Sequence, residues 1–302
     1  MLGLTTLRRN RVWRLTERQR LGCLLVAPIV LWLVLVLFYP LGYVITLSLF
    51  KQETAGAPLS FVGLEFFKNL LLHDKSLWPA IHLSLNWTVG NIVVQFIAGI
   101  ALALFLQRPF PGSKLVRLWV IVPWITPVVV SSLVWRWMLN PTSGVIEAVL
   151  RDAGLLTGYI NLLGKLQTIM PTLVGLQSWR YTPFVGVVVL GRLLAIPDEL
   201  YEAAKVDGAS AVQRFIYITF PSIRGLLVTL SMLATIWTFT TFDFIYLMTG
   251  GGPVDLTTTM PLLVYKRAFR GLEMNQAAAL SVVMFIIAVL FIMVYTRAGE
   301  KE

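Results

Sequence analysis

Six long apolar runs mark out the chain, at residues 21–49, 83–106, 118–135, 169–191, 225–248 and 275–296. Together they contain two charged side chains, Arg180 and Asp243. A hydrocarbon core ~30 Å thick is crossed by a helix of about 20 apolar residues, so each run predicts one membrane-spanning helix. Pro28, Pro40, Pro123, Pro127 and Pro183 fall inside runs, which membrane helices tolerate where neighbours satisfy the freed carbonyls. The first run follows an Arg-rich head but far exceeds the ~7–15 residues of a signal-peptide core and ends in no small-residue cleavage pattern. It is read as a helix.

The polar connections fix an orientation. Segments 1–20, 107–117, 192–224 and 297–302 hold 15 Lys and Arg in 70 positions, against 9 in 92 for 50–82, 136–168 and 249–274. By the positive-inside rule both termini are cytoplasmic. Arg8, Arg9, Arg11, Arg14, Arg18 and Arg20 carry much of that asymmetry. The division is a basic head (1–20), a six-span region (21–296) and a short tail (297–302). Composition agrees: 57% of residues are hydrophobic and 13% charged, against roughly a quarter charged in soluble chains. The net charge of +10 reflects topology, not nucleic-acid binding. The single cysteine, Cys23, excludes an internal disulfide. His73 and His82 lie outside the predicted spans without the further ligands a closed metal site needs.

The longest cytoplasmic connection, residues 196–223, has helical grammar. Asp198 after Pro197 predicts an N-cap, with Leu200, Ala203, Ala204 and Val206 as a small apolar face. Gly208 predicts a left-handed stop. Ser210 and Gln213 form a capping box for a second helix, continued by Phe215, Tyr217 and Ile218 to Pro221. The segment is predicted to be a folded helix–turn–helix outside the bilayer.

Glu202-Ala203-Ala204, then Gly208, Ile218 and Phe220-Pro221 at their spacing, resembles the EAA signature of permease subunits of binding-protein-dependent ABC importers. Phe220 stands where leucine is common. Further segments resemble the sugar-permease branch, in particular the first permease subunit of maltose, glycerol-phosphate and trehalose systems. They are Phe61-Val62-Gly63-Leu64, Trp179, Leu193 through Glu199, and Leu247-Met248-Thr249-Gly250-Gly251-Gly252-Pro253 with Thr257, Tyr265, Ala268 and Phe269.

The resemblance implies an all-α, six-helix type I importer fold. It implies a cytoplasmic coupling loop in which Glu202, Ala203, Ala204, Asp207, Gly208, Ile218 and Pro221 meet a separate ATP-binding subunit. The implied partners are a second, non-identical permease, two ATP-binding subunits holding ATP and Mg2+, an extracytoplasmic solute-binding protein and the lipid bilayer of a bacterial or archaeal cytoplasmic membrane. The implied cargo is a mono-, di- or oligosaccharide, with a polyol or glycerol-phosphate-type solute as the alternative.

The chain itself shows no nucleotide motor. A phosphate loop needs GxxxxGK[ST] between strand and helix. The nearest approach, Gly158 to Leu166, has five intervening residues, no hydroxyl and a predicted extracytoplasmic position. A secondary transporter needs coupling carboxylates within the membrane, and a membrane enzyme needs a reactive constellation. One acid and no histidine in the six runs supply neither.

Candidate cargo contacts are Gln177, Trp179, Arg180 and Tyr181 in the fourth run and Trp237, Thr241, Phe242 and Asp243 in the fifth. Aromatic faces and hydrogen-bonding edges suit a hydroxylated ring. Arg180 and Asp243 fit two readings: lining the path, or pairing with each other or with helix carbonyls. Asn86, Asn91 and Gln95 of the second run either line the same cavity or join helices.

Overall fold

The computed structural model describes residues 16–51, 58, 60–154 and 161–299. Arg8, Arg9, Arg11 and Arg14 of the basic head, the Gly158 end of the glycine-lysine segment and residues 300–302 lie outside the described residues. Helix α1 (Glu17–Leu33) starts from a capping box: the Thr16 hydroxyl accepts from the Gln19 amide, and the Gln19 side chain accepts from the Thr16 amide at 2.9 Å. It continues through a π-turn (Val34–Phe38) into α2 (Tyr39–Leu49). The widened turn lies just ahead of Pro40, whose ring and missing N–H disturb the regular ladder. No residue of α1 is buried. Strands β1 (Phe50–Lys51) and β2 (Ser60–Phe61) form a two-residue antiparallel ribbon with Phe50 opposite Phe61.

Helix α3 (Glu65–Leu72) leads into α4 (Leu77–Gln107). At 31 residues α4 outruns the expected span 83–106 and takes in His82, whose Nδ1 lies 3.3 Å from Asn86 Nδ2. The third run departs from expectation more sharply. Instead of one helix over 118–135, the chain forms α5 (Ser113–Val120), α6 (Val122–Ile125) and α7 (Val128–Met138), bent by 90° between α6 and α7. Pro127 forces Thr126 out of helical geometry, to ψ 128°, because a proline ring crowds the preceding residue. Pro123, in the first turn of α6, is tolerated where no amide is needed. Helix α8 (Val145–Asp152) follows.

Helix α9 (Leu166–Leu193) precedes the loop helices α10 (Asp198–Val206) and α11 (Ala211–Arg214). A π-turn (Phe215–Thr219) then joins α11 to α12 (Phe220–Phe239) without interruption. The expected fifth span, 225–248, is broken after Phe239. Asp243 starts a separate helix, α13 (Asp243–Thr249), and Asp243 Oδ1 accepts from the Phe244 amide at 2.8 Å. Helices α14 (Met260–Tyr265) and α15 (Met274–Gly299) complete the chain, separated by a π-turn (Lys266–Arg270).

Helices α4 and α9 form the central pair. A side chain at Gly99 would put its Cβ 2.7 Å from Val185 Cγ1 and 3.3 Å from the Gly186 amide nitrogen. Only glycine permits that approach. Asn91, fully buried, accepts from Gln95 Nε2 at 3.2 Å and from Ser178 Oγ at 3.3 Å, which ties α4 to α9. Trp87 Nε1 donates to the Thr238 carbonyl at 3.0 Å and links α4 to α12. Helix α15 packs against α2, α12 and α14.

Among the described residues, Glu17–Leu49, Leu77–Gln107, Ala211–Phe239 and Met274–Arg297 are long and apolar enough to cross a membrane; the bent pair makes a fifth if taken as one span. By length and composition the described residues thus supply four or five of the expected six. Helix α9 has the length, 28 residues, but not the apolarity. Much of its surface is buried in protein, so Gln177, Ser178 and Arg180 need no lipid-compatible exterior.

Candidate functional site

Two features stand out at opposite ends of α12. The first is the segment around α10 and α11. Pro197, not Asp198, is the N-cap of α10, and Asp198 is its first helical residue with no side-chain cap bond. At the other end Gly208 adopts φ +77°. The Ala209 amide donates to the Ala204 carbonyl at 2.8 Å and the Gly208 amide to the Lys205 carbonyl at 3.1 Å, the paired bonds of a Schellman stop. The Ser210 capping box is present: the Ser210 amide donates to Gln213 Oε1 at 2.7 Å, and the Gln213 amide to Ser210 Oγ at 3.3 Å. Tyr201 anchors the turn to the bundle through its hydroxyl, 2.9 Å from Thr219 Oγ1.

The expected apolar face of α10 does not pack inward. Leu200 is exposed and Val206 is 88% exposed, because Tyr201 makes the inward contact, beside Leu193, Ile196 and Ile218. Tyr217 is 76% exposed, and Val212 is bare as well. Glu202, Ala203, Asp207, Gly208 and Pro221 are exposed, while Ala204 and Ile218 are half-buried. The turn thus presents one carboxylate-bearing, partly apolar surface that none of the described residues covers.

The second feature is a cleft at the far end of α12, about 600 Å³ in volume, lined by Trp124, Tyr181, Trp237, Thr240, Thr241, Phe242 and Asp243. That size lies within the ~300–1,000 Å³ usual for small-molecule sites. Trp124 stacks on Phe184 with ring centres 5.2 Å apart, and Phe184 lies 5.9 Å from Trp237. Tyr181, Trp237 and Thr241 also line a throat of about 10 Å³ that reaches Gln95, Gln177, Ala234 and Thr238. The throat is narrow, since about 10–15 Å³ is the room of a single water molecule. Gln177, which lines this throat, is 2% exposed, and its Oε1 has no hydrogen-bond partner among the described residues.

Five expected path residues on α9 and the α12–α13 junction thus come together: Tyr181, Trp237, Thr241, Phe242 and Asp243, with Gln177 behind them. Three do not. Trp179 lies on another side of α9 and meets Trp135 edge-on at 5.3 Å. Arg180 lines neither space; its Nη2 donates to the Thr126 carbonyl at 3.3 Å, at the break between α6 and α7. No ion pair joins it to Asp243 among the described residues. Asn91 is consumed by the α4–α9 network. Trp124 and Phe184 went unrecognised in the sequence. Trp124 reaches the cleft only because the third span is broken.

Beyond the cleft, α13 closes on Gly250 (φ +61°) and the chain turns through Gly251, Gly252 and Pro253. Val254 and Asp255 hold positive φ, at 45° and 60°. The Lys266 ammonium pairs with Asp255 and donates to Thr258 Oγ1 at 2.9 Å. This ammonium, then the Thr258 hydroxyl, hold the Asp255 carboxyl below the usual carboxylate range.

A helical membrane bundle with a cleft at one end of a continuous helix and a folded, uncovered turn at the other is the architecture of a solute-conducting transport subunit. The chain belongs to the family of binding-protein-dependent transport system inner membrane components, whose model matches residues 95–299. It is 34% identical over 292 residues to the trehalose transport system permease protein SugA of Mycobacterium tuberculosis, covering 95% of this chain and 92% of that one. It is 30% identical over 281 residues to the trehalose/maltose transport system permease protein MalF of Thermococcus litoralis, covering 93% and 94%. The fold matches a chain of a bacterial alginate ABC transporter, solved in complex with an alginate-bound periplasmic protein. The TM-score is 0.84 at 22% identity, covering 96% of this chain and 98% of that one. A second structure with the same fold, at a TM-score of 0.83 and 21% identity, is of a bacterial ABC transporter involved in the import of alginate, an acidic polysaccharide.

Proposed function

We propose that this chain is one of two non-identical membrane subunits that together form the path of an ATP-driven carbohydrate importer. An extracytoplasmic binding protein delivers the sugar to the cleft, and two ATP-binding subunits, which hold ATP and Mg2+, drive its passage. The six-span reading, both termini cytoplasmic, puts the cleft toward the outer face and the turn at 196–223 in the cytoplasm. The relatives named for trehalose and maltose support a carbohydrate cargo.

The observation that carries this reading is the continuity of Ala211–Phe239. One helix bears the uncovered turn at its start and Trp237 at its end. Glu202 and Asp207 offer carboxylates to basic or amide groups of an ATP-binding subunit, and the bare Val206, Val212 and Tyr217 offer apolar area to its cleft. Within the path, Tyr181, Trp237 and Phe242 stack on the sugar faces, while Gln177, Thr241 and Asp243 meet its hydroxyls. The narrow throat corresponds to one state of an alternating-access cycle, whose balance shifts with whatever binds one state better.

Reconstitution tests this. The chain, its partner permease, the ATP-binding subunits and the binding protein are assembled in proteoliposomes, and uptake of labelled trehalose or maltose is followed with and without ATP. Uptake that needs ATP, binding protein and Trp237 supports the reading. Uptake in the absence of ATP-binding subunits refutes it.

A further inference from the structure

Family membership spans relatives of neutral sugars and of an acidic polysaccharide, so it does not choose between neutral and acidic cargo. The cleft does. Its walls are the aromatic rings of Trp124, Tyr181, Trp237 and Phe242, the hydroxyls of Thr240 and Thr241, and the carboxylate of Asp243. Asp243 is the one charged residue among these lining residues, and it is exposed. Aromatic faces carry the negative side of the ring quadrupole, so the walls add to the carboxylate's sign and do not oppose it. The carboxylate also sits in the first turn of α13, where it offsets the positive end of that helix.

A phosphate, sulfonate or carboxylate cargo requires the opposite equipment: a guanidinium, an ammonium or a fork of free donors. The nearest cation along the chain, Arg180, lines neither the cleft nor the throat. Its Nη2 serves the Thr126 carbonyl and its guanidinium carbon lies 5.3 Å from the centre of the Tyr181 ring. A neutral pyranose suits the cleft. Its apolar face stacks on Trp237 or Tyr181, and adjacent hydroxyls donate to Asp243. One of the Asp243 oxygens already accepts from the Phe244 amide, and the second remains for the ring.

We propose that this cleft admits uncharged hydroxylated rings and turns away acidic ones, with Asp243 the residue that sets the preference. The inference rests on the reading of the cleft as the cargo path, but it has its own test. Thr240 lines the cleft three residues from Asp243 and is exposed. Thr240→Cys is made with Cys23→Ser, and the full complex of permeases and ATP-binding subunits is held in membranes at low salt. Modification rates are measured with a cationic, an anionic and a neutral methanethiosulfonate reagent, each normalised to its rate with a free thiol in solution.

The cationic reagent should outpace the anionic one by about tenfold, the size expected for a unit charge several ångströms away, and salt should erode the ratio. Asp243→Asn should bring the ratio near one and Asp243→Glu should keep it, with the neutral reagent unchanged in both. A native ratio near or below one overturns the proposal, as does a ratio that survives Asp243→Asn. A changed rate for the neutral reagent in Asp243→Asn signals a rearranged cleft, and the ratio in Asp243→Glu against the native chain then decides. Sugar uptake is scored separately: uptake intact with no charge preference sinks this inference alone, and loss of the importer activity itself sinks the cargo-path reading.

Discussion

Replacing Gly208 tests the turn between α10 and α11 with little interference from packing. Its φ of +77° is open to glycine and costly for other residues, yet a Cβ built there meets nothing within 4 Å. The penalty is therefore conformational and not steric. Alanine in this region costs about 1–2 kcal/mol. Valine, branched at Cβ, belongs at the upper end of the ~1–3 kcal/mol typical of strained backbone. Asparagine, which enters the left-handed region more readily, costs least. Since ~1.4 kcal/mol is a factor of ten, valine shifts the turn away from its native angle by one to two orders of magnitude. The Ala209 and Gly208 amides then lose the carbonyls of Ala204 and Lys205. The position is exposed and outside the bundle, so insertion and assembly should hold. ATPase activity stimulated by loaded binding protein, measured per assembled complex in proteoliposomes, should fall in the order glycine, asparagine, alanine, valine. Native stimulation in the valine variant would refute the role assigned to the turn. So would a loss that merely tracks the amount of assembled complex.

Gly99→Ala should lower the thermal stability of the detergent-solubilised complex by about 1–3 kcal/mol through overpacking against Val185, and Val185→Ala should recover part of it; unchanged melting would show that α4 and α9 have room to separate. Cysteines at Val206 and Val254, 88% and 93% exposed, in a Cys23→Ser background should react with an impermeant thiol reagent from opposite sides of intact cells, the second accessible; labelling of both refutes the orientation. Since Arg180 serves the Thr126 carbonyl and not Asp243, Arg180→Gln with Asp243→Asn should impair uptake no less than the worse single change, and rescue by the double change would reinstate an ion pair. The depressed Asp255 carboxyl contributes stability that is fully present above its unfolded value, about 3.9, and is lost as pH falls through the lower folded value; Asp255→Asn should remove that acid-dependent part of the melting profile, and an identical profile would refute it.

What the sequence disclosed follows from where the information is local. Long uncharged runs specify α1–α2, α4 and α15 because lipid admits little else at that length. The loop helices are legible because caps are local chemistry: Ser210 finds Gln213 three residues away, and Gly208 bends at its own φ. The misreadings are tertiary. Pro127 resembles Pro183, which α9 absorbs without interruption. The chain breaks at Pro127, and at that break the Arg180 guanidinium donates to the Thr126 carbonyl, a pairing of residues 54 apart. That break carries Trp124 into the cleft, and no local pattern announces it. Likewise Asp243 reads as a charge buried in a long helix until the chain is seen to stop at Phe239 and restart with that carboxylate outside. Trp179 and Tyr181 are two residues apart on one helix, and the turn of the helix alone sends one to Trp135 and the other to the cleft.

The unbroken stretch from Ala211 to Phe239 is also a mechanical part. At 1.5 Å per residue its 29 residues make a rod about 43 Å long. Tilting such a rod by about 5° around its midpoint moves each tip by roughly 2 Å, in opposite directions. A displacement of that size is comparable to the radius of a water molecule, and the throat beside Trp237 has room for about one. No bond in the rod has to break for such a motion to pass along it, so a tilt at the turn would change the width of the throat at the other end.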